Sequence, residues 1–201
     1  RYFFELASYE FTAAIRYKRP LSIIIFDTDK LKQVNDTLGH VTGDKMLVKV
    51  AQAASSQVRS VDALARYGGD EFVVLLPQTN AQQAFPVAER IRASVADLQI
   101  ETEKGPLTVT LSIGISELSF DPMDEDLESI VRRADKALYS AKSAGRNCTK
   151  VFQAEWVWVY GTFVIKTLEI RPMILKGKIF QKFPKFVIVH NTGISYVERN
   201  G

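Results

Sequence analysis

ARYGGDEFVVLL, residues 65–76, sets two glycines and two acids in front of an apolar run. Strand, glycine turn and strand would account for Gly68 and Gly69. They would not account for Asp70 and Glu71. Two readings are open. The stretch is an ordinary hairpin with charged residues at its rim. Alternatively, it is a site for a metal and a phosphate, where missing Cβ atoms let the backbone come close to the ligand.

The flanking segments supply the rest of an α/β chain. Phe4, Leu6, Phe11 and Ile15 predict an opening helix to about Arg16, ended by KRP. LSIIIF, residues 21–26, is a short β-branched run and reads as a buried strand, with Asp27 directly after it. DTDKLKQVNDTLGH enters a short helix. TGDKMLVKVAQAASSQVR is a longer amphipathic one, with Met46, Leu47, Val50, Ala51, Ala54 and Val58 on one face. NAQQAFPVAERIRASVADL is a further helix, starting or kinking at Pro86. GPLTVTLSIGISEL reads as one alternating strand. DLESIVRRADKALYSAKSAG reads as an amphipathic closing helix with Ile130, Val131, Ala134, Leu138, Tyr139 and Ala141 near one face, capped by Gly145. This order predicts an α/β (α+β) sandwich with a mixed sheet.

Composition narrows the class. With 201 residues, 46% of them hydrophobic, the chain can bury one substantial core and a small appendage. Residues 1–150 hold 19 Lys and Arg against 20 Asp and Glu, whereas residues 151–201 hold 7 against 3. The excess positive charge therefore belongs to the tail. One cysteine, Cys148, permits no intrachain disulfide and points to a reducing, cytoplasmic setting. Two histidines, His40 and His190, argue against a histidine-based zinc site. His40 reads as a structural hydrogen-bonding residue. No apolar run reaches the ~20 residues of a membrane span. The abrupt opening RYFF reads as the inside of a longer protein.

Asp27 after one strand and Asp70 after the glycine turn would meet at one sheet end if the strands are neighbours. Magnesium takes one or two carboxylates, with waters and phosphate oxygens completing its shell. Taken singly, each element is as well explained by a helix cap or a hairpin rim.

YGGDEF at 67–72 resembles the signature of the GGDEF family, the diguanylate cyclases. FDTDKLKQVNDTLGHVTGDKML resembles that family's acid-rich strand–helix segment, and RADKALYSAKSAGRN its closing helix. The resemblance covers residues 1–150. It implies a palm-like nucleotidyl-cyclase fold with a central mixed, mostly antiparallel five-stranded sheet flanked by helices. It implies that two protomers, each holding one GTP, join them into cyclic di-GMP with release of two pyrophosphates. Asp27 and Asp70 match the ligands of Mg2+ (or Mn2+), with the Thr28 carbonyl assisting. Glu71 matches the second acid, supporting metal and reacting hydroxyl. Gly68 and Gly69 match the phosphate-approach turn. Asn35 and Asp44 match the guanine readers, and Lys32, Lys142 and Arg146 the triphosphate ligands. Leu31 stands where the family usually has Phe. That is a packing change which leaves the acids alone.

RSVD at 59–62 leaves five residues between Asp62 and Gly68. By itself this reads as a surface salt bridge. By resemblance, Arg59 and Asp62 form a product-inhibition site for cyclic di-GMP, with Arg90 as a secondary contact. The resemblance also implies an upstream sensor domain that controls dimerisation, either in a free protein or in the cytoplasmic part of a membrane-anchored one. Two other functions fit the same residues: an inactive GGDEF-type module binding GTP or cyclic di-GMP, and a cyclase of single nucleotides. Residues 151–201 do not resemble the family. WVWVYGTFVI, GKIFQKF and KFVIVHNTG read as short strands between turns. A small β appendage, or a C-terminus with little defined structure, fits them better than nucleic-acid binding does.

Overall fold

The computed structural model describes residues 2–120, 126–153, 156–159, 162–165, 185–190 and 193–198. The chain divides into two compact units, Arg1–Phe152 and Gln153–Gly201. In chain order the first unit runs α1 (Tyr2–Tyr17), β1 (Leu21–Thr28), α2 (Leu31–Leu38), α3 (His40–Ser55), β2 (Ala63–Gly68), β3 (Glu71–Pro77), α4 (Ala81–Ala96), β4 (Ile100–Thr102), β5 (Gly105–Leu107), β6 (Leu111–Glu117), α5 (Leu127–Ser143) and β7 (Thr149–Val151). Among its described residues the second holds two antiparallel pairs, β8 (Trp156–Val159) with β9 (Thr162–Ile165) and β10 (Lys185–His190) with β11 (Gly193–Glu198). The expected strand at GKIFQKF lies outside the described residues.

The main sheet has the order β2-β3-β1-β6-β7. The pairs β2–β3, β1–β3 and β1–β6 are antiparallel and β6–β7 is parallel, so the sheet is mixed and mostly antiparallel. β1 is its central strand and is buried along its whole length. That requires cover on both faces, and the alternation of strand side chains divides the cover. Ile24 and Phe26 join Val74, Leu76, Ile113 and Ile115 against Met46 and Val50 of α3 and Ala88 and Ile91 of α4. Leu21, Ile23 and Ile25 join Val73 and Leu75 against Phe3 and Ala7 of α1 and Ile130, Ala134 and Leu138 of α5. On β6 the α5-facing residues are Ser112, Gly114 and Ser116, all small. A Cβ on Gly114 would run into the α5 backbone at Ala134 and Leu138, so this glycine sets how closely helix and sheet approach. Ser116 Oγ donates to Ile130 O of α5 at 2.7 Å.

Several boundaries differ from expectation. β1 continues through Asp27 and Thr28, because both pair in register with β6 and Asp27 also with β3. α3 ends at Ser55, so Val58 lies beyond the helix, although it still packs against the core. α4 runs through Pro86 instead of starting there. Its start is fixed by Asn80, whose side chain accepts from Gln83 N while the Gln83 side chain accepts from Asn80 N. GPLTVTLSIGISEL splits in two. Its first residues form β5, which pairs with the preceding β4 in a small hairpin, and only Leu111–Glu117 joins the main sheet. Tyr139 is 72% exposed, because the buried stripe of α5 is Ile130, Ala134, Ala137, Leu138 and Ala141.

Candidate active site

Three backbone segments meet at the end of β1. β3 starts at Glu71, and in register Asp27 lies opposite Glu71 on one side and Ser112 on the other. Gly68 pairs with Glu71, so the turn itself is Gly69–Asp70, and Asp70 lies within the turn, not after it. Thr28 N donates to Asp70 O at 3.2 Å, fastening the turn to the central strand. Gly69 has φ 38°, which disfavours any residue with a Cβ. A Cβ on Gly68 or Gly69 would meet nothing within 4 Å. No packing within the protein excludes side chains there, and the space they leave is open.

The turn is braced by a residue that the sequence did not single out. Arg66 donates from both Nε and Nη2 to Gly69 O, at 2.9 and 2.6 Å. Its neighbour Tyr67 occupies the register shift between Arg66 and Gly68 and packs its ring 6.0 Å from that of Phe4 in α1.

Asp27 is only 7% exposed. Burial pushes its carboxyl up to about 6, and the nearby charges of Asp70 and Glu71 add to the rise. Lys142 at the end of α5 opposes it, donating to Asp27 Oδ2 at 2.8 Å. Three acids and one lysine therefore share this sheet end. Among the described residues no group of three His, Cys, Asp or Glu side chains is arranged to hold a metal. The donors fit magnesium better than a richly coordinated ion, since magnesium needs only one or two carboxylates. A buried carboxylate resisting ionisation beside two further acids is the environment that a divalent cation relieves. The Thr28 hydroxyl is buried without a hydrogen-bond partner.

Asp29, two residues further on, is 5% exposed and was also not foreseen. Its carboxylate accepts from Thr110 Oγ1 and Ser112 Oγ, both at 2.7 Å, and from Asn147 N at 3.2 Å. Arg146 is exposed in the loop after α5. It follows Gly145, whose φ of 110° lets Arg146 N donate to Ala141 O at 3.1 Å.

α2 and α3 carry the expected base readers. Asn35 Oδ1 is buried with no partner, and a Cβ on Gly43 would collide with it. Gly43 is thus the space into which the Asn35 amide fits. Asp44 lines a groove of 890 Å³ together with Leu47, Ala51, Leu64, Arg66 and Phe72. The groove joins the α3 start to the braced hairpin. Lys32 is exposed on α2, with no hydrogen bond to the acids among the described residues. His40 is the first residue of α3 and is exposed.

Arg59 and Asp62 form one tight turn after α3. Arg59 N donates to Asp62 Oδ2 at 2.8 Å, and Asp62 N donates to Arg59 O at 3.0 Å. Asp62 Oδ1 is buried and unpartnered, while Arg59 is exposed. Arg90 reaches from α4 to donate to Gln57 O at 2.9 Å, beside the same turn.

The model of the family described as "Diguanylate cyclase, GGDEF domain" matches residues 1–148. The chain belongs to the GGDEF family. It is 46% identical over 149 residues to Diguanylate cyclase A of Treponema denticola, a match covering 73% of this chain and 40% of that protein. Diguanylate cyclase DosC of Escherichia coli is 42% identical over 146 residues, covering 72% of this chain and 31% of its own. This GGDEF chain therefore spans less than half the length of those curated relatives. Among solved structures it resembles the active GGEEF domain of a diguanylate cyclase from Vibrio cholerae, with a TM-score of 0.69 and 35% identity over 74% of this chain and 93% of that one. It also resembles the GGDEF domain of DgcB from Caulobacter crescentus in complex with c-di-GMP, with a TM-score of 0.70 and 29% identity over 74% of this chain and 87% of that one.

Proposed function

We propose that this GGDEF domain is a diguanylate cyclase, condensing two GTP molecules into cyclic di-GMP and two pyrophosphates. The observation carrying the proposal is the gathering of Asp27, Asp70 and Glu71 at one sheet end, beneath a glycine turn with open space above it. Asp27, Asp70 and the Thr28 carbonyl would hold Mg2+ or Mn2+, which supplies charge neutralisation of the phosphates and a lowered pKa of the attacking hydroxyl. Glu71 stands beside that group as a further acid. Gly68 and Gly69 leave the triphosphate room to approach. Lys142, Arg146 and Lys32 provide its cationic partners.

Asp44 accepts from guanine N1–H and N2–H2, and the Asn35 amide meets the same base. Adenine lacks that donor edge and would leave Asp44 unpaired. Each 3′-hydroxyl attacks the α-phosphate of the other nucleotide, and pyrophosphate leaves. One chain carries one such set of residues, so the reaction is completed across a homodimer. The hairpin ends the edge strand β2 and is exposed, which leaves it accessible to a second copy. Arg59, Asp62 and Arg90 bind product and slow the enzyme. An upstream sensor domain governing dimerisation, and a cytoplasmic location, complete the proposal.

The test is chromatography of products after incubating a dimerised form with GTP and Mg2+. Cyclic di-GMP is expected from the wild type and none from Asp70→Ala. Cyclic GMP instead, or ligand binding without pyrophosphate release, would reject the proposal.

A further inference from the structure

We propose that Asp29 is a positioning residue, which fixes Arg146 for phosphate binding by tethering the backbone amide of Asn147. The inference rests on the reading of Arg146 as a triphosphate ligand.

Two oxygens of one buried carboxylate serve three donors here. Oδ2 takes Thr110 Oγ1 and Asn147 N, and Oδ1 takes Ser112 Oγ. The Asp29 N–H itself donates to Thr110 O at 2.9 Å. Thr110 and Ser112 belong to the segment entering β6, so the carboxylate is locked to the sheet and only its third bond reaches outside it.

That third bond holds an unfavourable stretch of backbone. Gly145, Arg146 and Asn147 are consecutive left-handed residues, with φ of 110°, 67° and 44°. Two of the three carry a Cβ, which makes this conformation costly without external restraint. The restraints on Asn147 are the Asp29 carboxylate at its N–H and Arg92 Nη1, which donates to its Oδ1 at 2.9 Å. Arg92 is in turn held by Glu89 at 2.9 Å. Arg146 sits between the capped end of α5 and this pinned residue, so its exposed side chain leaves a backbone fixed on both sides.

Asp27 and Asp29 both hold the C-terminal end of α5, but in different ways. Asp27 holds it through the Lys142 side chain, a bond that any cation on Asp27 competes with. Asp29 holds it through a main-chain amide, which ligand exchange at Asp27 leaves in place. The loop thus keeps its shape when Lys142 turns from Asp27 to phosphate.

The test is a double-mutant cycle on kcat/KM for GTP, followed by pyrophosphate release from the full chain. Asp29→Ala should lower kcat/KM ~10-fold or more, chiefly through KM, as Arg146→Ala does. The double variant should be no worse than Arg146→Ala alone. Additive losses would overturn the proposal, since they would mean that Asp29 does not act through Arg146.

Asp29→Asn should recover most of the loss. Its amide oxygen can still accept from Asn147 N while its NH2 donates to Ser112 Oγ. Amide hydrogen exchange at Asn147 should accelerate in Asp29→Ala and stay slow in Asp29→Asn. Unchanged exchange in Asp29→Ala would also overturn the proposal. If Asp29→Ala does not fold, Asp29→Ser, too short to reach Asn147, takes its place. An Arg146→Ala variant with unaltered KM would remove the phosphate role of Arg146, while the exchange result would still report the tether, so the two failures are told apart.

Discussion

Lys142 Nζ lies 2.8 Å from Asp27 Oδ2, joining the last turn of α5 to the end of the central strand. The acid's side chain is 11% exposed and the lysine's 30%. One lysine does not offset the burial of Asp27 and the two acids beside it, and the carboxyl is pushed up to about 6.

This has a consequence for stability in metal-free buffer. Asp27 binds its proton more tightly in the folded chain than at the ordinary value of 3.8. The folded state then carries more protons than the unfolded one between about pH 4 and 6, so stability falls as pH rises through that window. The loss from this one group is on the order of 2 kcal/mol. Denaturant unfolding at steps across the window should show that decline in wild type and not in Asp27→Asn. Parallel profiles for the two proteins would contradict the assignment.

Arg66 braces Gly69 with two donors held in one rigid plane, a geometry that the flexible ammonium of lysine does not reproduce. Arg66→Ala and Arg66→Lys should both lower kcat by ~10- to 100-fold through displacement of the hairpin. Their melting temperatures should stay close to wild type, because Arg66 is exposed. Steady-state kinetics with a thermal melt checks this, and full activity of Arg66→Lys would show the fork to be dispensable.

Gly43 leaves the space that the Asn35 amide occupies. Gly43→Ala should push that amide aside at a cost of ~1–3 kcal/mol in stability. The KM for GTP should rise as it does in Asn35→Ala, and discrimination against ATP should shrink. A Gly43→Ala enzyme with unaltered GTP and ATP kinetics would separate Asn35 from base reading.

Arg59 is exposed and hydrogen-bonds Asp62 through its main chain, so its side chain can change without breaking the turn. Arg59→Ala should leave initial rates intact and weaken inhibition by added cyclic di-GMP ~10-fold or more, the loss of one charge-assisted contact. Asp62→Ala, which removes the acceptor of the Arg59 N–H, should lower both inhibition and stability. Unaltered inhibition in Arg59→Ala would take the product site elsewhere.

What the sequence disclosed depended on range. The helices and the β2–β3 hairpin are written in local periodicity and turn residues, and they stand close to where the pattern puts them. The family is written in one short motif and its two flanking segments. Asp27 was placed just past its strand because hydrophobicity stops at Phe26, whereas the ladder to Glu71 and Ser112 does not. Tyr139 was assigned to the buried face of α5, which in fact turns on Ala137, a residue too small to stand out by hydrophobicity. Asp29 was missed because its partners are Thr110, Ser112 and Asn147, all more than eighty residues away in sequence. Arg66 was missed although its partner is three residues away, because a guanidinium reaching a turn carbonyl has no periodic signature.

The pairing of Asp27 with Lys142 spans 115 positions of the chain. A polypeptide leaving the ribosome therefore carries its acidic strand end long before the helix that neutralises it has been made. In the folded domain α5 supplies both the lysine that opposes the charges of Asp70 and Glu71 at Asp27 and the backbone that packs on Gly114. The cluster proposed to bind metal and nucleotide is thus completed late in the chain, and a polypeptide cut short before residue 142 would hold the signature motif yet lack Lys142 beside Asp27.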